Sequence, residues 1–99
     1  MLMEIQSVLN QREQRYGNFL RQSEITQALK KILVDNQRTP MDPDMQESLD
    51  MICHKLGRIA NGDPYYADSW VDIAGYAKLV ADRLHSNELG CLPLEGEHT

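Results

Sequence analysis

Two stretches of this chain carry apolar residues at the same alternating interval, and that pairing constrains the fold more than any other feature. Met45, Leu49, Ile52, Leu56 and Ile59 step by four, three, four and three; Trp70, Ile73, Ala77, Val80 and Leu84 step by three, four, three and four. Such spacing draws a narrow apolar seam along one side of an α-helix. Only the short connection Asn61-Gly62-Asp63-Pro64-Tyr65-Tyr66-Ala67 separates the two seams. Two complementary helices with so short a link predict an antiparallel helical hairpin. Its first helix has a clear start at Asp42-Pro43, a capping side chain followed by a proline at the first helical position. It stops at Asn61-Gly62, where Gly62 would take the left-handed C-terminal position. The second helix begins near Asp68-Ser69. Its interior Gly75 costs about 1 kcal/mol relative to alanine, which points to a close approach by another backbone or by a ligand.

Two weaker helices precede the hairpin. Ile5, Val8 and Leu9 form the stripe of a segment from Met3 to Arg15, which needs a partner surface to persist. It ends at Tyr16-Gly17-Asn18, where Gly17 permits a left-handed backbone. The next helix is expected from Ser23, as N-cap with Glu24 behind it, through Ile25, Ala28, Leu29, Ile32 and Leu33 to Asp35-Asn36; residues 37–40 form a loop. From Asn87 to Thr99 the periodicity fails, which predicts a flexible tail. No stretch alternates as a half-buried strand does. The reading is an all-α, four-helix bundle-like domain over residues 1–86 and a flexible acidic tail over residues 87–99.

Charge narrows the partners. The 99 residues hold 10 basic and 15 acidic groups, a net charge of −5. The tail contributes Glu88, Glu95 and Glu97, so the helical part is nearly balanced. This argues against bulk nucleic-acid binding, which needs a basic footprint, but leaves room for a local cationic pocket. No run approaches the ~18 apolar residues of a membrane span, and the N-terminus lacks the pattern of a secretory signal. Cys53 and Cys91 fit reduced thiols, one beside the apolar seam and one in the tail. A cytoplasmic protein is therefore expected. So short a chain buries a modest core, which favours a homo-oligomer.

The polar faces carry the candidate chemistry. Asp50, His54 and Arg58 share one face of the third helix, flanked by Glu47 and Lys55; Asp68, Asp72 and Tyr76 share a face of the fourth. An antiparallel hairpin brings Asp68 and Asp72 toward the Arg58 and Lys55 end. One reading is inter-helix ion pairing. The sharper one is a polar pocket in which Glu47, Asp50, Asp68 and Asp72 hold Mg²⁺ through oxygen ligands, while Lys55 and Arg58 contact phosphate. His54 is either an acid–base group or a hydrogen-bonded residue of the bundle. Arg15-Tyr16-Gly17 either clamps an anion and stacks on a base or closes a helix end. Trp70 reads as a core anchor.

Several of these stretches resemble a family. Arg15-Tyr16-Gly17-Asn18, then Leu49-Asp50-Met51-Ile52 leading to Lys55 and Arg58, then Asp68-Ser69-Trp70-Val71-Asp72-Ile73-Ala74-Gly75-Tyr76-Ala77 are similar to a family of small phage and prophage proteins of unknown function. The resemblance covers roughly residues 12–84, and the last motif is the most specific. The arrangement is distantly similar to the all-α nucleoside triphosphate pyrophosphatases of the MazG type, which hold Mg²⁺ with E-x-x-E and E-x-x-D patterns on paired helices. Glu47 and Asp50 fit that spacing; Asp68 and Asp72 are four apart rather than three. The resemblance implies a nucleotide or other phosphorylated small ligand at Arg15, Tyr16, His54, Lys55, Arg58 and Tyr76, with Mg²⁺-dependent pyrophosphate release or sequestration without turnover. The alternatives are a module that inhibits a host defence protein, and a helical homo-oligomer whose charges set register.

Overall fold

The computed structural model describes residues 2–88, and among them there are four helices and no strand. They are α1 (Leu2–Tyr16), α2 (Phe19–Asp35), α3 (Pro43–Asn61) and α4 (Ala67–Glu88). The all-α expectation holds, and so does the hairpin. Arg83 near the end of α4 reaches Asp42 and Asp44 at the start of α3, Ser48 meets the carbonyl of Tyr76, and Lys55 pairs with Asp72. These cross-links run in opposite directions along the two helices, as antiparallel packing requires. α3 is central, with α2 and α4 packed on either side; α1 touches α2 and α3 only lightly, and among the described residues α4 packs on α3 alone. No helix among the described residues is long and apolar enough to cross a membrane.

The helices meet through small residues rather than through the apolar seams. The buried positions of α3 are Ser48, Cys53, Lys55 and Gly57. A side chain at Gly57 would run into the Thr26 hydroxyl, so α2 and α3 approach at that glycine. Gln22 and Thr26 are the buried residues of α2. Among the described residues the only apolar side chain fully out of water is Cys53. The expected seams are half covered: Leu56 is 38% exposed and Trp70 52%. Trp70 is therefore no core anchor; its indole nitrogen donates to the Pro64 carbonyl across the α3–α4 connection.

Three helix ends differ from expectation. α2 starts at Phe19, four residues before Ser23, because Asn18 is the cap and its Oδ1 accepts from the Arg21 amide at 3.0 Å. Ser23 sits inside the helix and its hydroxyl donates back to the Leu20 carbonyl, as a serine one turn into a helix does. Asp42 holds the N-cap position of α3 without a capping hydrogen bond; its carboxylate takes the Arg83 guanidinium at 2.9 Å instead. Gly62 ends α3 at φ −131°, outside the left-handed region, so close packing rather than chirality selects it. α4 runs through Glu88, which places Asn87 and Glu88 on the helix. The rest of the expected tail, with Cys91, lies outside the described residues.

Arg83 forks between Asp42 and Asp44. Its hydrogen bonds hold the Asp44 carboxyl below the usual carboxylate range. A group more acidic when folded supports the fold above its unfolded value, near 3.8, and that support is lost as pH falls through the folded value. The thermal midpoint of Arg83→Gln should lie below that of the wild type near neutrality. The gap should narrow as pH is lowered from about 5 to about 2, followed by circular dichroism.

Candidate functional site

The corner between α1 and α2 is locked onto the corner between α3 and α4. Gly17 turns the chain at φ +79°, and a Cβ there would collide with the carbonyl oxygen of Asn61. A Cβ on Gly62 would collide with the backbone of Arg15 and Tyr16. Asn61 donates its side-chain amide to the carbonyls of Tyr16 and Asn18, both at 2.9 Å, and the Asp63 amide donates to the Arg15 carbonyl at 2.6 Å. The rings of Tyr16 and Tyr66 meet edge to face at 6.1 Å. Arg15 lies over the Tyr66 ring and donates to its hydroxyl, and that hydroxyl donates to Asp68. Thus the Arg15-Tyr16-Gly17 element acts as a clasp, and Arg15 is turned toward Tyr66.

On the other side of Tyr16 opens a cleft of about 510 Å³ between α1, the start of α2, and α3. Arg58 enters it from α3 with its guanidinium 4.0 Å above the centre of the Tyr16 ring. Its Nε is buried and has no hydrogen-bond partner, and no carboxylate among the described residues pairs with it. A buried guanidinium nitrogen without an acceptor is costly. Asn18, Phe19 and Leu20 also line the cleft, so the N-terminus of α2 opens into it. No acidic residue occupies the first turn of α2, and that helix end favours negative charge. Arg12 lines the wall beside one carboxylate, Glu13. Phe19 is 73% exposed and presents a free aromatic face.

Of the residues expected to bind a ligand, Tyr16 and Arg58 line this cleft; Arg15, His54, Lys55 and Tyr76 do not. Lys55 is nearly buried between α3 and α4 and pairs with Asp72 at 3.2 Å. Burial, then the charges of Arg58, Lys55 and Lys30, lower the His54 pKa, so at neutral pH it is an uncharged imidazole; the Gln22 amide nitrogen lies 3.5 Å from its Nδ1. Burial and the charge of Asp50 raise the Cys53 thiol pKa, which keeps it protonated. Tyr76 lies with Asp72 on a separate depression of α4.

The four carboxylates of the expected metal site do not converge. Asp50 accepts from Gln46 at 3.1 Å, Asp68 accepts from Tyr66, Asp72 is held by Lys55, and Glu47 is exposed. Among the described residues no group of three or more His, Cys, Asp or Glu is placed to hold a metal ion. The donors differ for each: Gln46 of the same helix holds Asp50, Tyr66 of the α3–α4 connection holds Asp68, and the Lys55 ammonium holds Asp72. Asp72 therefore has a structural part. Removing one member of a fully buried pair costs about 3–5 kcal/mol. The Asp72 side chain is 46% exposed, and water takes over some of its work. Asp72→Asn should destabilise the fold by about 1–3 kcal/mol in urea unfolding.

Sequence reasoning missed Phe19 and Arg12. Phe19 is the only phenylalanine in the chain, but starting the second helix at Ser23 left it in a connection. Asn18 immediately after a glycine was the available signal for the earlier start. Residues 1–84 match the family model of a domain of unknown function, DUF6378. No curated protein and no solved structure matches the chain.

Proposed function

The chain belongs to the DUF6378 family, a domain of unknown function, so its activity has to be read from its own chemistry, and we propose that the cleft at Arg58 binds a small phosphorylated ligand carrying an aromatic ring, a nucleotide in the first instance. The observation that carries this reading is Arg58, a cation with a buried, unpartnered nitrogen at the mouth of a helix N-terminus. A phosphate oxygen in the cleft accepts from the guanidinium that lines it, and the charge-assisted bond is stronger than a neutral one. The amides of Phe19 and Leu20 have no partner within their helix, both residues line the cleft, and Arg12 adds positive charge at the wall. The exposed Phe19 ring offers a base a surface to stack on. The distant resemblance to MazG-type pyrophosphatases points to the same ligand class. Sequestration without turnover fits the dispersed carboxylates better than hydrolysis does. Mg²⁺ would then enter with the nucleotide, bound by its phosphates, rather than as a resident ion.

Calorimetric titration with nucleoside triphosphates, the matching nucleosides and inorganic phosphate, each with and without Mg²⁺, tests this. Triphosphates should bind and nucleosides should not, and pyrophosphate release should stay at background. Phe19→Ala should weaken binding roughly 5- to 100-fold without loss of stability, since the ring is largely in solvent. No saturation by any phosphorylated ligand at millimolar concentration would overturn the reading. A second reading, inhibition of a host protein, rests on the stripe of Ile5, Val8 and Leu9 along α1, each 45–51% exposed. It requires a protein target whose binding is lost in Ile5→Asp.

A further inference from the structure

The wall that α1 gives to the cleft differs in chemistry from the Arg58 end. Gln6, Asn10 and Glu13 follow one another at intervals of four and three, a single stripe of the helix, and all three line the cleft. Gln6 donates its side-chain amide to the Asn10 oxygen at 2.9 Å. That bond occupies the acceptor side of Asn10 and leaves its amide nitrogen to donate elsewhere. Glu13 is exposed and belongs to none of the ion pairs among the described residues. The positions three and four residues away hold Leu9, Asn10, Tyr16 and Gly17, so its own helix offers it no cation. An ionised carboxylate accepts hydrogen bonds and donates none. In a cleft whose other charged groups are Arg12 and Arg58, it opposes phosphate and favours a part of the ligand that carries N–H groups.

We propose, resting on the nucleotide reading of this cleft, that the stripe of Gln6, Asn10 and Glu13 reads the base and selects guanine. Arg58 stacks on Tyr16, and Asn10 and Gln6 lie six and ten residues before Tyr16, about 9 and 15 Å along α1. Phosphate at Arg58 and a base at the stripe therefore occupy separate stretches of the cleft. The Watson–Crick edge of guanine presents two adjacent donors, N1–H and the N2 amino group, beside one acceptor, O6. The donors suit the Glu13 carboxylate as a bidentate pair. Asn10, one turn along the same face with its Cβ about 5–6 Å away, donates to O6. Adenine sets an unprotonated N1 against the carboxylate, and cytosine an unprotonated N3. Uracil offers a single N–H between two carbonyls, one of which faces the carboxylate. Phe19, 73% exposed, gives any base a ring to stack on and so does not choose among them.

The test is calorimetric titration of the full chain, and of Glu13→Gln, with guanosine, inosine and adenosine triphosphates. The wild type should bind guanosine triphosphate roughly 5- to 150-fold more tightly than adenosine triphosphate, the discrimination that a bidentate base contact gives. Inosine triphosphate keeps N1–H and O6 but lacks the N2 amino group, and should fall between them. In Glu13→Gln the preference should vanish, with adenosine triphosphate bound as well as before or better, because a charge that opposes phosphate is gone. Circular dichroism should be unchanged, since Glu13 is in solvent. Equal affinities of the wild type for the three triphosphates, or a guanosine preference that survives Glu13→Gln, would overturn this inference and leave the phosphate reading standing. No saturation by any of the three would overturn that reading itself, and this inference with it.

Discussion

Gly17→Ala should lower the stability of the fold by about 2–5 kcal/mol. Two costs add. The backbone at Gly17 has φ +79°, a conformation that costs an ordinary L-residue about 1–2 kcal/mol. The new Cβ also meets the carbonyl oxygen of Asn61, and forcing apart a close-packed contact costs about 1–3 kcal/mol more. That contact cannot yield without consequence, because Asn61 also donates to the carbonyls of Tyr16 and Asn18. Displacing it loosens both corners of the bundle together. Urea unfolding monitored by circular dichroism reads the loss. Gly75→Ala is the internal control: with open space above it in the single chain, the same substitution there should leave the monomer's stability equal or improved by up to about 1 kcal/mol. A Gly17→Ala protein as stable as the wild type would show that the corner clasp is not tight.

Arg58→Gln should weaken nucleotide binding by about 10- to 100-fold. A hydrogen bond between a cation and a phosphate is worth about 1.5–3 kcal/mol, and each 1.4 kcal/mol is a factor of ten. The shorter, uncharged side chain cannot reach a phosphate as the guanidinium does, and it gives up the contact over the Tyr16 ring. A small drop in thermal midpoint is therefore expected as well. Arg58→Lys separates the two effects. It keeps a positive charge at the cleft but loses the planar fork and the stacking, so its affinity should fall between wild type and Arg58→Gln. Equal affinities in all three proteins would remove Arg58 from the site.

The hairpin was legible because periodicity reports on which side of a helix is apolar, and a short connection leaves two such helices little choice of orientation. The details of contact were not legible from that pattern. α3 is packed on two sides, so its most buried positions are the small residues Ser48, Cys53 and Gly57 together with Lys55, while Leu56 and Trp70 remain half in water. An apolar seam marks a surface to be covered but does not say by what. The start of α2 was misplaced because Ser23 carries the same capping chemistry as Asn18, and only the left-handed turn at Gly17 decides between them. The site was half legible. Charge spacing along α3 and α4 placed Lys55 beside Asp72, as found, but pairing consumes both groups. Arg58 was named from the sequence for phosphate contact and lies in the cleft. Its neighbours Arg12 and Phe19 come from helices far apart in sequence, and spacing within one helix carries no information about such a meeting.

The most direct test follows backbone amide resonances of the full chain as a nucleoside triphosphate is added. Binding in the cleft predicts the largest shifts at Arg12, Asn18, Phe19 and Leu20 and at the Nε–H of Arg58, saturating together with one affinity, with Asp50, Lys55 and Asp72 little moved. Shifts that concentrate at Asp50, Lys55 and Asp72 and require Mg²⁺, with the α2 N-terminus unmoved, would contradict the account and return the ligand to the space between α3 and α4.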